Sequence, residues 1–150
     1  FNEPKGNNKK VKKAPMPMNF TVPLVEGDYL TDKMTEEVIS FIGSDNENDQ
    51  PFFAFMSFYA VHQPLEAKKE DVKRNKKEID AHDFGPGPEY ISEGTGRTKM
   101  WQDNADYAGM VENIDEHIDR LLKTLEDLEI DENTIVVLSS DHGALSIDGH

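Results

Sequence analysis

One segment limits the possible folds more than any other. Between residues 101 and 129, Tyr107, Met110, Val111, Ile114, Ile118, Leu121, Leu122, Leu125 and Leu128 recur mostly three or four positions apart. That is the period of a helix with one apolar stripe. Glu112, Asp115, Glu116, Asp119 and Arg120 fall between them and form the expected wet face. After a turn at "EIDEN", the period stops and "TIVVLSS", residues 134–140, follows as a buried-type strand. A helix of this length with one greasy stripe needs a broad apolar partner, and a strand leaving its end supplies a sheet for it to cover.

A second such strand lies upstream. "PFFAFMSFYAVH", residues 51–62, is nearly continuously apolar rather than alternating, so both of its faces should be covered, as in the centre of a parallel sheet. Pro51 sits at its start, where a missing N–H does least harm. Strand, long crossover and strand predict a parallel pair in a three-layer α/β sandwich with a mostly parallel central sheet. A shorter helix is expected over 31–42, with Thr31 as its N-cap, a stripe of Met34, Val38, Phe41 and Ile42, and Gly43 ending it. Residues 1–25 read as loop or irregular chain. So, mainly, do 69–100: "EAKKEDVKRNKKEID", residues 66–80, could form a charged helix but has only a thin apolar face, and "FGPGPEYISEGTGRT" is broken by glycine and proline.

Composition removes several classes of function. Of 150 residues, 30 are acidic and 16 basic, a formal charge of −14, which opposes general nucleic-acid binding. There is no cysteine, so neither disulfides nor thiolate metal sites nor a cysteine nucleophile can arise within these residues. No apolar run approaches the roughly 20 residues that span a bilayer. The chain opens on Phe1 and stops just after Asp-His-Gly, and we read it as an internal piece of a longer protein.

Chemistry-bearing residues fall at the strand ends. In open α/β sheets, ligands bind beyond the carboxyl ends of the strands. His62 follows the first apolar run, and Asp141 with His142 follows the second. If the strands are parallel, all three emerge on one edge. Asp141 and His142 are then either the polar start of a loop or ligands to a divalent cation, for which carboxylate and neutral imidazole are suitable. Gly143 would allow a sharp turn there. His82, His117 and His150 read as structural or solvated, and Trp101 and Tyr107 as core or interface residues.

"EGDYLTDKMTEEVISFI", "PFFAFMSFYAVHQPLEA" and "DYAGMVENIDEHIDRLLKTLEDLEIDENTIVVLSSDHGALS", in that order, resemble the middle of sulfatase catalytic domains, within the alkaline-phosphatase-like superfamily. The resemblance implies that His62, in a His-x-Pro segment, contacts the sulfate group and helps to protonate the leaving oxygen. It implies that Asp141 is the first of two strand-end ligands to a calcium ion. The second position departs from the family's Asn and is His142, which suits zinc or manganese better than calcium. The implied nucleophile is a formylglycine made within a Cys/Ser-x-Pro-x-Arg motif. No such motif occurs here, so it lies outside this chain and the fragment alone is expected to be inactive. The implied substrate is a sulfated small molecule or carbohydrate, and the implied compartment is periplasmic, secreted or lysosomal. His142 also keeps a metal-dependent phosphodiesterase or phosphonate monoester hydrolase open, and a catalytically dead member acting as a binding module is a third reading.

Overall fold

A computed structural model describes residues 27–46 and 51–141. Three helices form its frame: α1, Leu30–Asn46; α2, Lys69–Ala81; and α3, Ala105–Asp127. Strands β1, Tyr90–Glu93, and β2, Gly96–Lys99, make an antiparallel hairpin between α2 and α3, and a short 3₁₀ turn, Asp131–Asn133, follows α3. Both α1 and α2 pack against α3, which is the axis of the assembly.

Local chemistry explains where α3 begins. Asn104 has extended backbone angles, and its side-chain oxygen accepts the Tyr107 N–H at 2.9 Å, satisfying one of the donors that a helix start leaves unpaired. Asp106 adds negative charge at the favourable end of the dipole. Helix α2 has no side-chain cap, but Glu70 and Asp71 occupy its first turn. Helix α1 passes through Gly43, the expected stop, and continues to Asn46. Thr31 lies inside the helix, buried, and its carbonyl accepts the Thr35 hydroxyl at 2.9 Å. The four-residue ladder of a stable helix tolerates one glycine at a cost of about 1 kcal/mol, so Gly43 alone does not end it.

Residues 69–100 correct the reading of that stretch as mainly loop. The thin apolar face of α2 suffices because much of its contact with α3 is polar, through Asp71, Arg74 and Asn75. In the hairpin, Tyr90 pairs with Lys99, Ile91 with Thr98, Ser92 with Arg97 and Glu93 with Gly96. The two-residue connection is Gly94-Thr95, with Gly94 at φ +57°, where glycine is strain-free. Reading these glycines as breakers missed that a glycine between two short arms is also a hairpin signal.

The parallel sheet is the larger correction. Among the described residues the hairpin is the one sheet, and neither apolar run is paired as a strand. Residues 51–60 are covered on one side only. Phe52 meets Phe41 of α1 edge-to-face at 6.2 Å, whereas Phe53, Phe55 and Tyr59 are 73–81% exposed. Residues 135–138 are exposed throughout, from Val136 at 56% to Ile135 at 92%. An apolar run of this kind buries its second face only against neighbouring strands and a covering layer, and the described residues contain neither. The stripe of α3 divides accordingly. Met110 and Leu125 are buried, while Val111 and Leu122 at the edge of the stripe are exposed.

Candidate active site

His62 occupies the turn after the first apolar run. Its backbone N–H donates to the Tyr59 carbonyl at 2.9 Å, closing a tight turn that presents an exposed imidazole. Ring Nδ1 lies 2.7 Å from the Gln63 carbonyl oxygen. A carbonyl only accepts, so Nδ1 carries the proton and Nε2 is the atom left to meet a substrate. The orienting partner is the residue next in sequence, so the ring is aimed by local structure.

Asp141 ends the second run. It is exposed, and the Ser140 hydroxyl lies 3.5 Å from its Oδ1. His142 lies outside the described residues, as do Gly143 and His150. The common sheet edge expected to gather His62 and Asp141 is not formed among the described residues, because the strands that would carry them are unpaired. Nor do those residues contain a group of three His, Asp or Glu side chains able to hold a metal. The candidate donor set here is thus one carboxylate and, beyond the described residues, one imidazole. Zinc requires about four donors and calcium about six to eight, so these residues fit a cation only as a part of its shell.

Sequence reasoning missed a buried polar seam between the helices. Asp32 of α1 receives Lys68 Nζ at 2.7 Å on Oδ2 and His117 Nε2 at 2.6 Å on Oδ1. Arg120 Nη1 approaches His117 Nδ1 at 3.1 Å. The guanidinium only donates, which selects the tautomer with bare Nδ1 and with Nε2–H directed at Asp32. Burial acts to raise the Asp32 pKa, but the hydrogen bonds from Lys68 and His117 outweigh it and hold the carboxyl below its ordinary value. One turn along α3, Glu112 accepts from Arg74 at 2.8 Å and Asn75 at 2.6 Å, and Arg74 also reaches Asp71 at 2.7 Å. The Arg74 hydrogen bond lowers the Glu112 pKa, which partial burial opposes. Asn113, 1% exposed, and Asp71 Oδ2 lie in the same seam, with no hydrogen-bond partner for either Asn113 side-chain atom or for that oxygen.

A signal for this seam was present. Met110, Asn113 and His117 follow the same three- and four-residue step as the apolar stripe. Hydrophobicity alone passes over them because two of the three are polar. His117 is thus a structural histidine, 3% exposed.

Comparison with known proteins identifies the family. The sequence model of the sulfatase family matches residues 1–150. A sulfatase from Formosa agariphila is 33% identical over 136 residues, covering 80% of this chain and 20% of that protein. An arylsulfatase from Klebsiella aerogenes is 29% identical over 149 residues, 82% of this chain and 32% of the relative. The N-acetylgalactosamine-6-sulfatase of Canis lupus familiaris is 27% identical over 129 residues, 85% and 20% respectively. Family membership implies an α/β fold of the alkaline-phosphatase-like class. The chain belongs to the sulfatase family. It spans between a fifth and a third of the length of these relatives.

Proposed function

We propose that this chain is part of a catalytic domain that hydrolyses sulfate esters, with a carbohydrate as the sulfated substrate. The observation that carries the reading is the geometry of His62: an exposed ring whose Nδ1 is held by the Gln63 carbonyl, leaving Nε2 to act on a substrate. Family membership and the relatives named as sulfatases support the reaction class. The name of the N-acetylgalactosamine-6-sulfatase supports a sugar substrate.

In this reading, His62 binds a sulfate oxygen and, when protonated, gives the Nε2 proton to the departing ester oxygen. Such proton donation contributes on the order of 10²–10⁴-fold. Asp141 and His142 would hold a divalent cation, calcium or, given the imidazole, zinc or manganese, together with donors from outside the chain. When bound, that cation supplies charge stabilisation at the sulfate oxygens. The formylglycine nucleophile also lies outside the chain. The second faces of residues 51–60 and 134–140 would be covered by the remainder of the central sheet in the complete protein.

Two substitutions in the complete protein test this. His62→Ala lowers turnover of para-nitrophenyl sulfate by about 100-fold or more without changing its circular dichroism. Near-normal turnover would remove His62 from the mechanism. Asp141→Ala lowers the metal content of purified protein, and unchanged elemental analysis would exclude it as a ligand. His142 alone favours a second reading, hydrolysis of phosphodiesters or phosphonate monoesters. Faster turnover of bis-para-nitrophenyl phosphate than of the sulfate ester would establish that reading instead.

A further inference from the structure

The stretch between α2 and α3 folds back over the end of one helix and the start of the other. It leaves a cavity of about 390 Å³, near the lower end of the roughly 300–1,000 Å³ typical of small-ligand sites. Its apolar wall is Ile79 with Phe84 and Trp101, whose rings stack at 5.2 Å between centroids and 17° between planes. His82 abuts Phe84 edge-on at 4.6 Å and braces the stack. Both stacked rings remain partly exposed, so the platform keeps open aromatic surface.

The polar lining selects among ligands. Lys76, Asp80 and Asp103 border the cavity. Asp80 is paired with Lys76 at 2.9 Å, and Asp103 with Lys99 at 2.9 Å. An anion would meet two carboxylates, and the ammonium in the lining is already engaged. A cation would have to displace a lysine from one of those carboxylates. A paired carboxylate still has lone pairs for hydroxyl donors. Aromatic surface beside compensated, hydrogen-bonding charge therefore suits a neutral polyhydroxylated ring. Its C–H face would lie on the aromatic platform and its hydroxyls would reach the carboxylates.

We propose that this cavity is a binding site for a neutral sugar unit, distinct from the unit that carries the sulfate ester. As a subsite it rests on the sulfatase reading with a glycan substrate. It lies in the segment between His62 and α3 and would select glycans by a sugar that is not itself hydrolysed.

Trp101 is the single tryptophan of the chain and reports directly on occupancy. The complete protein and its Trp101→Phe variant are titrated with galactose, glucose, mannose, xylose, N-acetylglucosamine and N-acetylgalactosamine. The expected result is a saturable change in the wild-type-minus-variant emission for at least one sugar. No saturable change for any of them up to about 10 mM, tenfold beyond a millimolar Kd, overturns the site. In parallel, Trp101→Ala should leave para-nitrophenyl sulfate turnover within about twofold and lower kcat/KM on a sulfated oligosaccharide containing the responding sugar by about tenfold. Equal kcat/KM on that oligosaccharide for wild type and variant overturns the subsite role. The fluorescence titration requires no turnover, so an absence of activity on all sulfate esters would retire the sulfatase reading while leaving the sugar site to be decided separately.

Discussion

Gly109 of α3 lies close against Ala67 and the first turn of α2. A Cβ at that position would stand 3.0 Å from the Ala67 Cβ and 3.2 Å from the Asp71 Cβ, tighter than ordinary packing allows. Gly109→Ala, usually favourable inside a helix, should therefore destabilise the protein, by about 1–3 kcal/mol in urea unfolding. A stabilised variant would show that the two helices separate freely. The Asp32–His117 pair makes a second prediction with a defined pH dependence. Its folded-state pKa is lowered, so the stability Asp32 contributes is present above its ordinary value of 3.8 and is lost as pH falls through the lower folded value. Asp32→Asn removes the ion pair with Lys68 and a charged acceptor for His117, at a cost of about 1–3 kcal/mol near neutrality. The variant should show a shallower loss of stability below about pH 4, measured by denaturant midpoints across pH. An unchanged acid slope would mean that Asp32 is not held in the ionised form by its neighbours.

At the scale of elements, α3 was the most legible because its period extends over many turns, and Ala105–Asp127 falls inside the expected 101–129. Its start depends on one side chain. Asn104→Ala should lower stability by about 1 kcal/mol, seen as a lower Tm, because the Tyr107 N–H loses its acceptor. The extent of α1 was less legible, since Gly43 obeys the terminator rule locally while the hydrogen-bond ladder overrides it. The hairpin was legible only as turn chemistry. The two apolar runs illustrate a different limit: their composition names a buried strand, but hydrogen-bond pairing is a property of neighbours that no single segment encodes. A complete protein that covers those runs should protect the amides of residues 53–58 and 135–138 from hydrogen exchange by orders of magnitude, whereas the 150-residue chain should exchange them rapidly. Equal, fast exchange in both would refute a central-sheet role for these residues. The candidate site was legible in the same divided way. His62 and its exposure follow from local sequence, but its distance from Asp141 depends on pairing that local sequence does not specify.

For the molecule as a whole, the Asp32–His117 bond joins positions 85 residues apart, and His62, α2, the sugar-type cavity and the hairpin all lie inside that span. Closing a loop costs entropy that rises only as the logarithm of its length. The helical clamp therefore fixes the ends of a long span while remaining nearly indifferent to how much chain the span holds. Inserting ten residues at the Gly94-Thr95 tip should add on the order of 0.1 kcal/mol to closing the Asp32–His117 span, and about 1.6 kcal/mol locally to closing the hairpin turn. An otherwise intact protein that lost several kcal/mol would show that the hairpin itself bears on the helices. The same arithmetic makes the clamped span a place where evolution can lengthen, shorten or rewrite recognition elements cheaply. Recognition elements inside that span can therefore change length with little effect on the two helices that frame it.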